Sequence, residues 1–353
     1  MLFDIEKDTG DRIVGYLVPD SFSNTSAVLV TSNGRELAVL PTDQARPALV
    51  AAGRHDSGLC GFTIDSKVVP NLADCQELEL RDKESGFTFY RRRAEALTVP
   101  FKLFRLEPRH VRPFDWDKDL GAHFQVSFPN ADRMGRETMS QTLLLRARSS
   151  YISARLLFRE FIYSIDDSFK KVCVIQDPYV ELAEVLLELQ IGKSMPTDSL
   201  DMRDQLSFAA CAEHFAEYDI SDASDLRRSL ARMPTEVETS LACPLARSLA
   251  AKSAEEHLSA GLVATSVESL ASFDVIGIRE RPDTYLQSLL ELLSKVKELA
   301  PIEPASAAAL ALADLLRHQS EAAALVDLDL DVYQILTTAL DTNFPGPPNF
   351  QRR

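Results

Sequence analysis

"KKVCVIQDPYVELAEVLLELQI", residues 170–191, changes its pattern half-way. Val172-Cys173-Val174-Ile175 is a continuous apolar run, the signature of a strand buried on both faces of a parallel sheet. Asp177-Pro178 then opens a helix with proline in its first turn, where the missing N–H removes no hydrogen bond. A second stretch has the same plan, "FDVIGIRERPDTYLQSLLELL" at 273–293. An apolar strand through Ile278 meets an Arg-Glu-Arg-Pro turn. Leu286, Leu289, Leu290, Leu293 and Val296 then fall on one helical face. Strands that pass straight into helices build parallel α/β sheets. The two strands are therefore expected to be parallel neighbours, or near neighbours, in one sheet, with Gln176 and Arg279 at the same edge.

Away from this pair the chain changes character. Residues 12–18, 27–32, 35–40, 60–64, 76–81 and 87–92 are short runs rich in β-formers. Asn33-Gly34 sits between two of them and marks a type I′ hairpin, whose two central positions both need positive φ. Lys83 to Gly86 marks a second hairpin loop. Residues 42–58 read as a helical turn and a loop crossing between sheets. Short strands at this spacing predict a small antiparallel sandwich. In the middle, 101–107 and 122–128 read as strands, and 136–161 as one long helix or as helix, turn, helix broken at Ser149-Ser150. Further helices are expected at 204–218, 222–232, 243–251, 266–272 and 304–325. The fold class is α+β with two domains: an antiparallel β-sandwich over 1–96, a parallel-sheet, helix-rich α/β domain over 97–345, and a Pro/Gly-rich tail over 346–353.

The chain has 353 residues and carries no run of 18 apolar residues, so no membrane span is expected. The N-terminal "MLFDIEKDTGDR" lacks the basic head and apolar middle of a signal peptide. Five widely spaced cysteines, with no C-x-x-C pair, read as free thiols of a reducing cytoplasm. Residues 1–160 carry 22 basic and 22 acidic side chains, so the whole net charge of −15 lies beyond them. Within the first part, residues 91–159 hold 14 Lys/Arg, 12 of them Arg, against 7 Asp/Glu. Arginine forks suit phosphate, sulfate and carboxylate. This basic segment either docks on the acidic part of its own chain or meets an anion. The reading taken is that most of its arginines pair with acids of the C-terminal half, while Arg109 and Arg112 line an open cleft. A sequence pI near 4.9 argues against bulk nucleic-acid binding.

Three stretches in order, 172–189, the opening 273–293 segment and "LDLDVYQILTTAL" at 328–340, resemble the carbohydrate sulfotransferase superfamily over about residues 165–340. That family has a strand ending in Arg-Asp-Pro, later a segment carrying Gly and Glu that leads into a helix, and near its end an Asp-x-x-x-Tyr helix. Asp177-Pro178, Gly277 with Glu280, and Asp329 with Tyr333 fill those places. The resemblance implies a parallel sheet that binds 3′-phosphoadenosine 5′-phosphosulfate at the C-terminal ends of its strands. It also implies a phosphate loop with Lys, Gly and Ser/Thr, and an Arg and a Ser that bind the 3′-phosphate. The chain departs from both features. It has no such loop, Gln176 stands in the place of the Arg, and Glu184 stands in the place of the Ser. Exchanging the cation for an amide forfeits a charge-assisted contact of about 1.5–3 kcal/mol, and a carboxylate beside it repels phosphate.

The expectation is a divergent sulfotransferase-like protein without the usual donor site and without a cofactor. It would act as a binding or scaffold component of bacterial surface-glycan or exopolysaccharide processing. The alternatives are an active sulfo- or glycosyltransferase with a rearranged donor site, which would restore the phosphosulfate donor, and a structural assembly protein. The partner expected is an anionic glycan or a glycan-processing protein, and oligomeric state stays open. Candidate ligand-binding residues are Arg105, Arg109, Arg112, Arg155, Gln176, Arg279 and Glu280. Glu280 also reads as a cap on the next helix. The six histidines show no metal spacing. Trp116 either stacks on a sugar or packs.

Overall fold

A computed structural model of the chain describes residues 1–20, 26–112, 114–165, 167–191, 202–254 and 256–343. The tail expected at 346–353 lies outside the described residues. Two compact units emerge, Met1–Leu103 with Lys118–Ile152, and Phe104–Asp117 with Ser153–Arg353. The chain thus passes between them at three points, and not once near residue 96.

In the first unit, β1 (Leu2–Asp8), β2 (Ile13–Val18), β6 (Leu59–Ile64) and β5 (Gln44–Ala45) form one sheet in that order. β4 (Arg35–Pro41), β3 (Ala27–Ser32), β7 (Leu78–Asp82) and β8 (Thr88–Arg92) form another. Pairing in both is antiparallel. Burial alternates along β7, the period of a strand with one face inward. The inward faces meet through Phe3, Phe62 and Phe89, all buried, with ring centroids 5.8 Å apart for Phe3–Phe89 and 6.0 Å for Phe62–Phe89. Asn33 and Gly34 both have positive φ, 48° and 75°, as the type I′ hairpin requires. The chain changes sheets between β4 and β5, at residues 42–43, whereas α1 (Pro47–Ala51) joins β5 to β6 within one sheet, so the helical turn expected in 42–58 is present but is not the crossing. β1 has no counterpart in the sequence reading, because "LFDIEKD" scatters charges through its apolar positions.

A five-stranded sheet follows, built from β9 (Lys102–Leu106), β10 (Val126–Phe128), β11 (Ser150–Ala154), β12 (Phe169–Ile175) and β13 (Val275–Ile278), in the order β10-β11-β9-β12-β13. β12 and β13 pair in parallel, from Val172 opposite Val275 to Ile175 opposite Ile278, as their apolar runs predict. The 136–161 reading needs correction. Only α3 (Arg136–Leu144) and α4 (Phe158–Phe161) are helical, after α2 (Phe114–Gly121), and the segment between them is strand β11. All five residues of β11 are buried. A short run buried on every side carries no period, so pattern alone cannot separate strand from helix there.

The helical part of the second unit comprises α5 (Pro178–Ile191), α6 (Met202–Ser207), α7 (Ala209–Phe215), α8 (Ala223–Ala231), α9 (Thr235–Leu241), α10 (Pro244–Ala250), α11 (Gly261–Leu270), α12 (Pro282–Leu293), α13 (Ala307–Leu316) and α14 (Ser320–Asn343). The expected 304–325 helix is two helices. The polar Arg317-His318-Gln319 step turns the chain, so that Leu312, Ala313 and Leu316 and then Ala322, Leu325 and Val326 join the same apolar cluster as Leu182, Val185 and Leu186 of α5. Among the described residues no helix is long and apolar enough to cross a membrane.

Gly277 fixes how α12 returns on β13. A Cβ at that position would lie 2.3 Å from the Tyr285 ring, which comes up against the bare backbone. Gly277→Ala should therefore cost about 1–3 kcal/mol through overpacking, read as a fall in the urea midpoint. An unchanged midpoint would show that α12 can shift freely.

Candidate functional site: a filled strand edge

Because Ile175 and Ile278 are in register, Gln176 and Arg279 leave the sheet side by side at the C-terminal edge. Open α/β sheets hold their ligands at such edges. Here the edge is filled by the protein itself. α5 turns back over it, and Glu181 and Glu184, three residues apart, share the helix face that meets it. Gln176 Nε2 donates to Glu181 Oε2 at 2.7 Å and to Glu184 Oε2 at 3.0 Å. Arg279 Nη1 donates to Gln176 Oε1 at 2.5 Å and to both oxygens of Glu184 at 2.7 and 2.8 Å. Its Nε reaches Glu303 O at 2.9 Å. The Arg279 and Glu184 side chains are only 11% and 10% exposed. A cation does therefore stand at this edge, but a carboxylate of the same chain holds it.

The network continues to the end of β9. Glu181 Oε1 accepts the His110 backbone N–H at 2.9 Å and lies 3.0 Å from His110 Nδ1. Arg105, 1% exposed, makes a two-pronged contact with Asp117, Nε to Oδ1 at 2.8 Å and Nη2 to Oδ2 at 2.6 Å, and a third bond to Glu107 Oε2 at 2.7 Å. Arg109 closes on Glu107 from the other side with two bonds of 2.9 Å. Burial alone would raise the Glu107 carboxyl, but Arg109 and Arg105 outweigh it and hold it at about 2. Burial pushes His110 down, and the nearby Arg155 adds to that. Arg155 pairs with Asp204 Oδ1, and Arg112 Nη2 lies 3.7 Å from Asp204 Oδ2.

Each candidate residue thus has a place. Gln176 and Arg279 meet at the strand edge. Glu280 is no cap on α12; its Oε1 accepts the Asp177 N–H at 3.0 Å and its Oε2 accepts from Tyr333 Oη at 3.2 Å, which ties the start of α5 to α14. Arg105 and Arg109 share Glu107, and Arg112 and Arg155 share Asp204. With Arg109 4% and Arg112 5% exposed, neither lines an open cleft, which corrects that expectation. Of the arginines of the basic segment, Arg112 and Arg155 meet Asp204 of the acidic half, while others pair nearer home. Arg105 and Arg109 pair inside their own stretch, Arg91 with Glu79 and Arg92 with Asp8. Trp116 is packed, with the Arg105 guanidinium 5.4 Å from its ring centroid and its Nε1 donating to Ala300 O. Sequence reading passed over Glu107, Asp117, Glu181 and Asp204. The spacing of Arg105 and Glu107, two apart on one strand face, was the available signal.

A cavity of about 10 Å³, room for about one water, lies against His110 and Glu181 with Pro178, Leu182, Val185 and Val326 as walls. Among the described residues no group of His, Cys, Asp and Glu is arranged to hold a metal ion. No family model matches the chain, and no curated protein matches it.

Proposed function

We propose that this chain is a non-catalytic binding or scaffold protein, built on a sulfotransferase-like α/β frame whose donor site is closed from within. The observation that carries this reading is the Arg279–Glu184–Gln176 cluster. Glu184 takes up the guanidinium contacts that a phosphate at this edge needs, so an incoming anion has to displace a buried ion pair. Breaking such a pair costs about 3–5 kcal/mol, most of what a small anion gains on binding. The partner class, an anionic glycan or a glycan-processing protein of bacterial surface-polysaccharide production, follows from the resemblance alone. The five cysteines are all free, which suits a reducing cytoplasm.

The test is calorimetry with adenosine 3′,5′-bisphosphate. Binding should be weaker than about 1 mM, a free energy of only about −4 kcal/mol. Micromolar binding would overturn the closed site and return the chain to the transferases. A thermal-shift series with sulfated and acidic glycans then addresses the partner, and stabilisation by one of them supports the binding role.

A further inference from the structure

Asp329 is the motif residue that the strand edge does not absorb. It lies on α14, 2% exposed. Its Oδ2 accepts the Leu245 N–H at 3.0 Å and its Oδ1 the Ala246 N–H at 2.7 Å, so both oxygens hold the first turn of α10. One turn earlier on α14, Leu325 O accepts from the Cys243 N–H at 2.8 Å and from its Sγ at 3.3 Å. The contact matters because α10 is the most enclosed helix of its unit. Leu245, Ala246, Ser248, Leu249 and Ala250 are all buried, and Ser248 and Ser269 add bonds from α10 to Leu156 O and from α11 to Leu249 O.

We propose that Asp329 is a proton-operated clasp: charged, it holds the start of α10 on α14 with both oxygens, and protonation releases one of those two bonds. The argument is geometric. Of the other buried carboxylates described in this unit, Glu107 and Asp117 meet Arg105, Glu184 meets Arg279 and Asp204 meets Arg155, while Glu181 has the side-chain donors of Gln176 and His110. Asp329 meets two backbone N–H groups and no cation among the described residues. Arg247 on α10 is the closest candidate, but its Nη1 is turned to Ala254 O at 2.7 Å. Glu181 from α5 adds negative charge to Asp329, and the Cys243 thiol stands beside the carboxyl, itself facing Asp327. Of the other charged groups on packed helices, Glu184 is held by Arg279, Glu268 of α11 is exposed, Arg228 and Asp225 of α8 pair with each other, and Arg227 turns to Gln319. Burial without a cation disfavours the charge more than two N–H bonds favour it, and the group is pushed up to about 7. A carboxylic acid keeps one good acceptor oxygen, so one of the two amides must let go.

The folded chain then binds this proton more tightly than the unfolded chain, where the group titrates near 4. Its contribution to stability is full below about pH 4 and is lost as the pH rises through about 7. The measurement is the Asp329 carboxyl carbon shift, followed by NMR from pH 4 to 9 in the labelled full chain and assigned through bonds. A midpoint within one unit of 7 supports the clasp, and a midpoint below 5 overturns it. Hydrogen exchange at Leu245 and Ala246, corrected for intrinsic rate, supplies the second readout. One of the two amides should exchange at least tenfold faster at pH 5.5 than at pH 8. Equal protection at both pH values would overturn the release even with a midpoint near 7. Asp329→Asn, which carries a single carbonyl acceptor, should show the pH 5.5 pattern throughout.

Discussion

Arg105→Met should lower stability by about 3–5 kcal/mol, the cost of leaving one side of a buried ion pair uncompensated. The reason is the position of its two partners. Glu107 and Asp117 are both 0% exposed, and Arg105 alone supplies three of the hydrogen bonds that justify their charge. Met fills much of the same volume, so the loss reports the ions and not a cavity. The effect reads as a fall in the urea midpoint at unchanged slope. A change under 1 kcal/mol would show that water or Arg109 takes over the pairing. The pH dependence gives an independent check. Glu107 is held at about 2, well below its ordinary 4.5, so it contributes stability that is present above about 4.5 and is lost as the pH falls toward 2. In Arg105→Met that acid loss should begin at higher pH, because Arg109 is then the only cation bonded to Glu107.

The strand–helix units were legible because their signals are local. Val172 to Ile175 could be read as a doubly buried strand and Asn33-Gly34 as a turn from residue type alone, and both stand so in the fold. The role of the arginines was not legible, because charge along a sequence does not state where it ends. Arg105, Arg109 and Arg112 read as surface forks for an anion, yet each is buried on a carboxylate, and Arg105 and Arg109 find theirs two residues away on Glu107. The resemblance marks Gln176 and Glu184 as standing where a sulfotransferase has its phosphate ligands. Arg279 is expected at the same edge as Gln176, from the parallel pairing of the two strands; that Glu184 would hold it could not be seen, because that depends on how α5 packs back over the edge. β11 was misread for the opposite reason: burial on every side erases the period that separates strand from helix.

The strand edge itself yields to a double-mutant cycle. Arg279→Leu alone leaves Glu184 as a buried carboxylate with only Gln176 Nε2 bonded to it, and should cost about 3–5 kcal/mol. Glu184→Leu alone should cost less, since Arg279 keeps the Gln176 and Glu303 oxygens. Removing both together takes the charge out with its partner, and replacing buried pairs by packed apolar side chains is often neutral or stabilising. The double variant should therefore lie within about 1 kcal/mol of the parent. The coupling energy between the two sites should then exceed the roughly 0.5 kcal/mol at which separate sites still add. The two roles of this edge predict different cycles. A strand edge that exists to hold the fold gives a large coupling in stability and no change in anion binding. A strand edge that keeps Arg279 for a ligand gives a small coupling in stability, and Glu184→Leu then binds sulfate at least tenfold more tightly than the parent. The second pattern would undo the closed site, since Glu184 would be a gate on a working cation and not its permanent partner.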